Sequence, residues 1–341
     1  MSTVTSIVSP IYFVTYNLYK GGSLRLLMSL KTVLNMSHPS YSLHEYNARY
    51  PIRWLNFVWR IFLDQILISF LRYKCSRIIM FGNVPCIFFW GQQVVMIHNP
   101  NYFRNNWKLM SLRNFLEYIY FYFANKISIK LKKVTYIVQT ASMKECVSKL
   151  LGAEDILVLG SPFVDEGGVS LSDVELNHIS IKMHGVNNYF FYPAYRYESK
   201  NHQLLSSIAR SIKIQFDIDV VCTTQDVDNV VNIGPISSEA SRFILSKSAG
   251  LIFPSRHESL GYPLIEAAKI KKPIIAINKS YVNEVVSNAY LFEDDEDSLL
   301  QAFEMYARDL ESNQIKLPLI NIELNPSLFI LKIIKYFETQ V

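Results

Sequence analysis

Leu251-Ile252-Phe253-Pro254-Ser255-Arg256-His257-Glu258-Ser259-Leu260-Gly261-Tyr262-Pro263-Leu264-Ile265-Glu266-Ala267-Ala268 reads as a buried strand, a tight loop and the start of a helix. The apolar run Ala249 to Phe253 supplies the strand, and Pro254, Ser255 and Gly261 mark the loop. Pro263 falls in a first helical turn, where a missing N–H is tolerated. Lys269, Lys271 and Lys272 meet the negative pole of that helix, and Pro273 stops it. Such a helix start leaves backbone N–H groups pointing outward with partial positive charge, which suits a phosphate or diphosphate. Glu258 in the loop and Glu266 about one turn inside the helix have seven residues between them, so both can face one ligand that bridges loop and helix. The amides would hold an anion, and the carboxylates would accept hydrogen bonds from hydroxyls of the kind ribose and hexose rings offer. The plainer alternative is an ordinary strand-loop-helix unit whose acidic residues favour a helix start.

The pattern Phe253-Pro-Ser-x-x-Glu258-Ser-x-Gly261-x-Pro263-x-x-Glu266-Ala267 resembles the donor-site signature of retaining glycosyltransferase family 4, of the GT-B type. The resemblance implies an α/β fold with two Rossmann-like domains whose parallel sheets face an inter-domain cleft. It implies that Glu258 contacts the transferred sugar, that amides around Ser259, Leu260, Gly261 and Tyr262 hold the diphosphate, and that Glu266 takes the nucleotide ribose. Gly234-Pro235-Ile236 resembles the family's base-contacting segment, with Gly234 and Ile236 as its candidates. The resemblance is strongest over residues 186–295 and thinner over 11–160.

The chain of 341 residues is 50% apolar, enough for two core-forming domains. Its 4 cysteines are scattered without metal or C-x-x-C spacing, which argues against a disulfide frame or a zinc site and for a reducing compartment, with cytoplasm expected. The N-terminus has no basic residue before Lys20, and no secretory signal is read there. Charge divides the chain: residues 1–150 hold 18 Lys and Arg against 4 acidic residues, a net +14, and residues 151–341 hold 16 against 25, a net −9. A basic half calls for an anionic partner. The stretch from Arg53 to Arg72 interleaves Trp, Phe and aliphatic residues with Arg, which favours an anionic membrane surface over nucleic acid. Arg60 and Asp64 argue against a spanning helix, and a core-facing helix stands as the alternative.

The N-terminal half alternates strands and helices. A strand from Ile11 to Tyr16 leads through Gly21-Gly22 into an amphipathic helix over about 24–34, and such a turn permits close approach of a ligand to backbone amides. Strands over 77–81 and 93–97 follow, the second running into His98, then an aromatic helical region near 111–129, a strand over 134–140 and a helix over 142–151. The resemblance sets Gly21, Gly22 and His98 beside the donor. A polar, Gly- and Pro-rich passage at about 160–180 is the expected linker, giving domains at 1–165 and 180–325, with a last helix from about 326 packing back on the first domain.

In the second half a strand over 188–192 leads through Arg196 and Lys200 into a helix from Gln203. Two cations beside helix amides can neutralise a departing nucleoside diphosphate. The family's Arg usually lies five positions before its Lys, where this chain has Tyr195, so the match is better for Lys200 than for Arg196. Asp217-Ile-Asp219 and Asp226-Val-Asp228 have D-x-D spacing without any further hard-ligand cluster, so no metal and no other cofactor is expected. The acidic run Glu293 to Asp297 reads as a solvated loop.

The reading is a metal-independent retaining glycosyltransferase with a nucleotide sugar as co-substrate. Its expected acceptor is a lipid-linked oligosaccharide of a surface-polysaccharide pathway, at the inner face of the cytoplasmic membrane, with no nucleic acid partner. A nucleotide-sugar epimerase or hydrolase of the same fold, and a non-catalytic basic membrane adaptor, are the other classes.

Overall fold

The computed structural model describes residues 11–14, 28, 42–44, 65–70, 76–103, 112–131, 134–162, 171–195 and 197–339. The chain forms two compact units, Met1–Asp165 with Glu323–Val341, and Glu166–Ile322.

The first unit holds β1 (Ile11–Val14), β2 (Ser42–His44), α1 (Gln65–Phe70), β3 (Arg77–Met80), β4 (Gln92–Met96), α2 (Leu112–Lys130), β5 (Val134–Val138), α3 (Ala141–Leu151) and β6 (Ile156–Val158). Its strands pair in parallel in the order β2-β1-β3-β4-β5-β6. Strand alternation sends Ile11, Phe13, Ile79, Val94 and Met96 to one face and Tyr12, Val14, Ile78, Met80 and Val95 to the other. The second face is covered by α2 and α3 through Phe121, Ala124, Met143, Val147 and Leu151. Both faces being buried is why these strands are continuous apolar runs. Of the aromatic stretch 53–72, residues 65–70 are described. There Ile68 is buried, and the buried Gln65 amide bonds the Pro85 carbonyl (3.1 Å), the Tyr120 hydroxyl (2.7 Å) and the Ile87 N–H (2.8 Å), while Ile66 and Phe70 are exposed.

The second unit opens with α4 (Asp173–Lys182), which stands inside the passage read as linker. Ser172 and Glu175 cap its start reciprocally, a short-range signal that outweighs the polar composition. There follow β7 (Tyr189–Tyr192), α5 (His202–Phe216), β8 (Asp219–Cys222), β9 (Val231–Asn232), α6 (Ser238–Lys247), β10 (Gly250–Phe253), α7 (Tyr262–Lys269), β11 (Ile274–Ile277), α8 (Ser280–Val285), β12 (Val286–Ser287), β13 (Tyr290–Phe292), α9 (Glu296–Glu311) and β14 (Leu319–Ile320). The main sheet is parallel, in the order β13-β11-β10-β7-β8-β9. Gly250 lets β10 lie flush between its neighbours: a Cβ there would come within 2.5 Å of the Phe190 ring and 2.6 Å of the Pro273 carbonyl.

The acidic run 293–297 is not a free loop. Asp295 caps α9 by accepting from the Ser298 N–H (2.8 Å), and Glu296 and Asp297 fill the first turn, where the helix dipole favours negative charge. The helix then packs Phe303 and Tyr306 edge-on against Phe190, with ring centroids 5.1 and 5.0 Å away.

The chain returns to the first unit as α10 (Pro326–Thr339), whose Phe329, Ile330, Ile333 and Phe337 cover the face carrying Ile11, Phe13 and Ile79. The re-entry is tight. Gly160 has φ +68 and a Cβ on it would meet the Glu323 carbonyl oxygen at 2.5 Å, while the Ser161 N–H donates to that oxygen (3.3 Å). No helix among the described residues is long and apolar enough to cross a membrane.

Candidate functional site

In the second unit the strand order runs outward from β7 to β8 and β9, then returns across β7 to β10, β11 and β13 on the other side. The reversal falls between β7 and β10, and the crevice beyond the carboxyl ends of strands at such a point is where open α/β sheets bind ligands. Two loops border it, 193–201 after β7 and 254–261 after β10, and each delivers a charge.

Lys200 closes a short 3-10 turn, Glu198–Lys200, and Asn201, at φ +55, reverses the chain into α5. Glu258 lies in the loop after β10. The Lys200 ammonium and the Glu258 carboxylate form an ion pair, with the two side chains only 22% and 14% exposed. The hydroxyl of the fully buried Ser255 donates to the same Glu258 Oε1 (2.8 Å). The Ser255 carbonyl accepts from the Tyr281 hydroxyl, and the Lys200 carbonyl accepts from the Tyr192 hydroxyl (2.8 Å). Burial, and after it the negative charge of Glu258, pushes both phenols far above their ordinary range, so both remain neutral donors that fix the two loops.

A second set of contacts ties the loops to the one after β13. The Arg256 N–H donates to the Ser199 carbonyl (2.8 Å), and its guanidinium grips Asp294 in bidentate fashion (2.6 and 3.1 Å). The Asn201 side-chain amide donates to the same carboxylate (2.8 Å). Burial alone would raise the Asp294 carboxyl, but Arg256 and Asn201 outweigh it and hold it below the usual range. Asp294 thus belongs to the frame of the site, although its position in an acidic run suggested a solvated residue.

Gly261 caps α7 at φ +74 without any side chain, and a Cβ there would meet Leu264 at 3.0 Å and the Phe253 ring at 3.3 Å. Ser259 and Tyr262 are half-buried, Leu260 is buried to 1% exposure, and Glu266, one turn into α7, is 6% exposed. Leu260 can therefore offer a ligand its backbone but not its side chain. Gly234, at φ +77, and the half-buried Ile236 follow β9 at the same edge of the sheet, and the Gly234 N–H donates to the Thr224 carbonyl (3.0 Å).

In the first unit His98 follows β4. The Asn83 side-chain oxygen accepts from the N–H groups of His98 (2.8 Å) and Asn99 (3.1 Å). The His98 Nδ1 is enclosed with no hydrogen-bond partner among the described residues, and burial lowers its pKa to about 4, so the ring is neutral at pH 7. Gly21, Gly22 and Arg196 lie outside the described residues. Asp217 and Asp219 both pair with Lys213, at 2.7 and 3.0 Å. No group of three or more His, Cys, Asp or Glu that could hold a metal occurs among the described residues.

Of the candidates, then, Lys200 and Glu258 are brought into contact from 58 residues apart. Ser259 to Tyr262 and Glu266 follow Glu258 along one loop and helix. Tyr192, Ser255, Tyr281 and Asp294 were not singled out from sequence. Ser255 had a signal in its place within the motif, and the two tyrosines had none.

Residues 224–317 match the family model described as Glycosyl transferases group 1. The matched segment runs from just after β8 to just past α9. It contains Glu258, Gly261, Glu266 and Asp294, and Lys200 lies before it. No curated protein matches the sequence. Among solved structures, HepE of Anabaena in complex with UDP and glucose is similar at 11% identity and TM-score 0.63, over 97% of this chain and 100% of that one. WaaG, described as a glycosyltransferase involved in lipopolysaccharide biosynthesis, is similar at 12% identity and TM-score 0.61, over 89% of this chain and 92% of that one. Sucrose-phosphate synthase of Thermosynechococcus elongatus is similar at 10% identity and TM-score 0.64, over 97% and 99%. These likenesses establish the fold, the two-domain α/β GT-B architecture, in which the matched segment lies.

Proposed function

We propose that the chain is a retaining glycosyltransferase that moves a sugar from a nucleotide-diphosphate sugar to a saccharide acceptor without a metal. The observation that carries the reading is the Lys200–Glu258 pair at the strand-order reversal, formed between the loops that run into α5 and α7. A transferring sugar carries hydroxyls and gains positive charge at its ring, while its leaving diphosphate gains negative charge. A site for it needs a carboxylate and a cation side by side, and here each holds the other in place.

Charge stabilisation follows from those two groups. As the bond from the sugar's anomeric carbon to the phosphate oxygen breaks, its electron pair stays on that oxygen, where Lys200 and the first amides of α7 stabilise it. Glu258 accepts hydrogen bonds from the sugar and favours the oxocarbenium character of the ring. The acceptor oxygen bonds the same face of the anomeric carbon, and its proton passes to the departing phosphate oxygen, leaving a glycoside and a nucleoside diphosphate. Glu266 takes the ribose hydroxyls, and Gly234 and Ile236 border the base. His98, neutral at pH 7, can hydrogen-bond but does not serve as an acid.

The acceptor class we infer is a lipid-linked saccharide at an anionic membrane surface. The net +14 over residues 1–150 supports it, and the fold is shared with a protein described as acting in lipopolysaccharide biosynthesis.

A thermal-shift screen against nucleoside diphosphates and their sugars tests the donor reading. One base should stabilise the protein by about 2.7 kcal/mol at a hundred times its Kd. Release of nucleoside diphosphate should then require acceptor and survive EDTA. Turnover of donor alone would indicate an epimerase or hydrolase instead.

A further inference from the structure

Helix α2 carries its apolar residues on both sides. Its buried face is made by Phe121, Ala124, Asn125 and Ser128, two of them polar. Asn125 is accommodated there by donating to the Phe121 carbonyl (2.7 Å) and accepting from the Tyr136 hydroxyl (2.7 Å). The opposite face presents Leu112, Leu116, Phe123 and Ile127, continued by Leu131, with exposures of 74, 40, 57, 42 and 48%. Spacings of 4, 7, 4 and 4 align them in one stripe, roughly 28 Å long for a helix of this length. Tyr118 and Tyr122 stack beside it with centroids 6.3 Å apart, the Lys126 ammonium lies 5.6 Å over the Tyr122 ring, and Lys130 is exposed at the helix end. A surface helix facing only water turns polar residues outward, and this one does the reverse.

We propose that this stripe is the face by which the first unit lies on an anionic lipid bilayer. The proposal deepens the membrane part of the reading above and rests on it. Leucines, isoleucine and phenylalanine along one side with tyrosines and lysines at the flanks suit the boundary between acyl chains and headgroups, where rings stay half-wet and lysines reach the phosphates. Charge selects the same partner. The first unit holds 20 Lys and Arg against 9 Asp and Glu, a net +11, which draws it to anionic headgroups and repels a second copy of itself. A stripe of five partly exposed side chains is also short of the roughly 800 Å² per partner typical of a stable protein interface, whereas an interfacial helix needs only to seat one face.

The experiment is vesicle sedimentation at low salt with the full chain, comparing phosphatidylcholine vesicles with vesicles containing phosphatidylglycerol. The variants are Leu116→Ser with Phe123→Ser and Ile127→Ser combined, and Ile214→Ser as a control on an exposed apolar residue of the second unit. Because all four side chains are exposed, both variants should fold, and circular dichroism and melting check that. We expect wild type and control to bind the anionic vesicles at least tenfold more tightly than neutral ones, and the triple variant to lose at least tenfold in that binding. If wild type binds anionic vesicles and the folded triple variant binds them equally well, the stripe is not the docking face and the membrane reading stands without it. If wild type does not distinguish the two vesicle types, the membrane reading fails as well. A dimer in solution that the triple variant abolishes would assign the stripe to a second copy and overturn the proposal.

Discussion

The two sheets of this chain are built alike and furnished differently. Each is six parallel strands buried on both faces, and each reverses its strand order once, between β1 and β3 in the first unit and between β7 and β10 in the second. At the second reversal the bordering loops carry a shielded ion pair, and they are braced by two neutral phenols, from β7 and α8, and by an Arg–Asp clasp to the loop after β13. In the first unit the described loops at the same edge offer a neutral imidazole and asparagine amides. The same topology therefore supplies a crevice in both, and only the side chains delivered to it decide where charge can develop. The first unit invests instead in a basic, partly apolar exterior.

The sharpest way to break this comparison is to damage one sheet alone. Phe337→Ala, which empties a site only 1% exposed over the first sheet, should cost about 3–5 kcal/mol. Hydrogen exchange should then show β3 to β5 losing protection while β7, β10 and β11 keep theirs. Loss of protection in both would mean that the sheets do not stand independently.

Next in size is the asymmetry of chemistry. Lys200→Ala or Glu258→Gln should each lower the transfer rate about 10²-fold or more, the scale of one preorganised electrostatic contact, while leaving the melting of the first unit unchanged. Steady-state rates with saturating donor check this, and a variant with wild-type kcat would remove the pair from the chemistry.

A smaller effect separates steric from conformational demands within the second unit. Gly261 and Gly185 both have positive φ, but a Cβ meets Leu264 and Phe253 at the first and nothing within 4 Å at the second. Gly261→Ala should cost about 1–2 kcal/mol in urea unfolding and Gly185→Ala less. Equal costs would show that the packing at the start of α7 can give way.

The last effect, spread over a window of pH, concerns His98. Its folded pKa of about 4 lies below the ordinary 6.5, so between those values the unfolded chain binds the proton and the folded one does not. Stability should accordingly fall as pH drops from 6.5 toward 4, by on the order of 1 kcal/mol per unit from this group. His98→Asn should flatten that slope in denaturation curves taken across the window, and an unchanged slope would show that His98 protonates freely.

Much of the second unit was legible in the sequence because its strands are short apolar runs bounded by Gly, Pro and Asn, and because the β10–loop–α7 stretch carries its own punctuation. Two parts were not. Helix α9 was hidden behind its acidic start, where Asp295, Glu296 and Asp297 read as solvation although they cap and polarise a helix whose apolar side is Leu299, Ala302, Phe303 and Tyr306. The hydroxyl frame was hidden because it is non-local: Tyr281 reaches Ser255 across 26 residues, and Arg256 reaches Asp294 across 38. Lys200 and Glu258 each stand out from the residues of their own loops and again by the family resemblance, but their contact cannot be read from periodicity. At 160–180 the polar composition hides helix α4, whose capping box of Ser172 and Glu175 is the local signal for it.

The return of the chain at Glu323 also sets an order of events during synthesis. The face formed by Ile11, Phe13, Ile79 and Met96 is complete in the nascent chain long before α10, its cover, leaves the ribosome, and the whole second unit is made in between. For that interval an apolar sheet face stands open to other nascent chains, so aggregation during expression should depend on how fast the last residues are translated and on chaperones that hold exposed apolar surface.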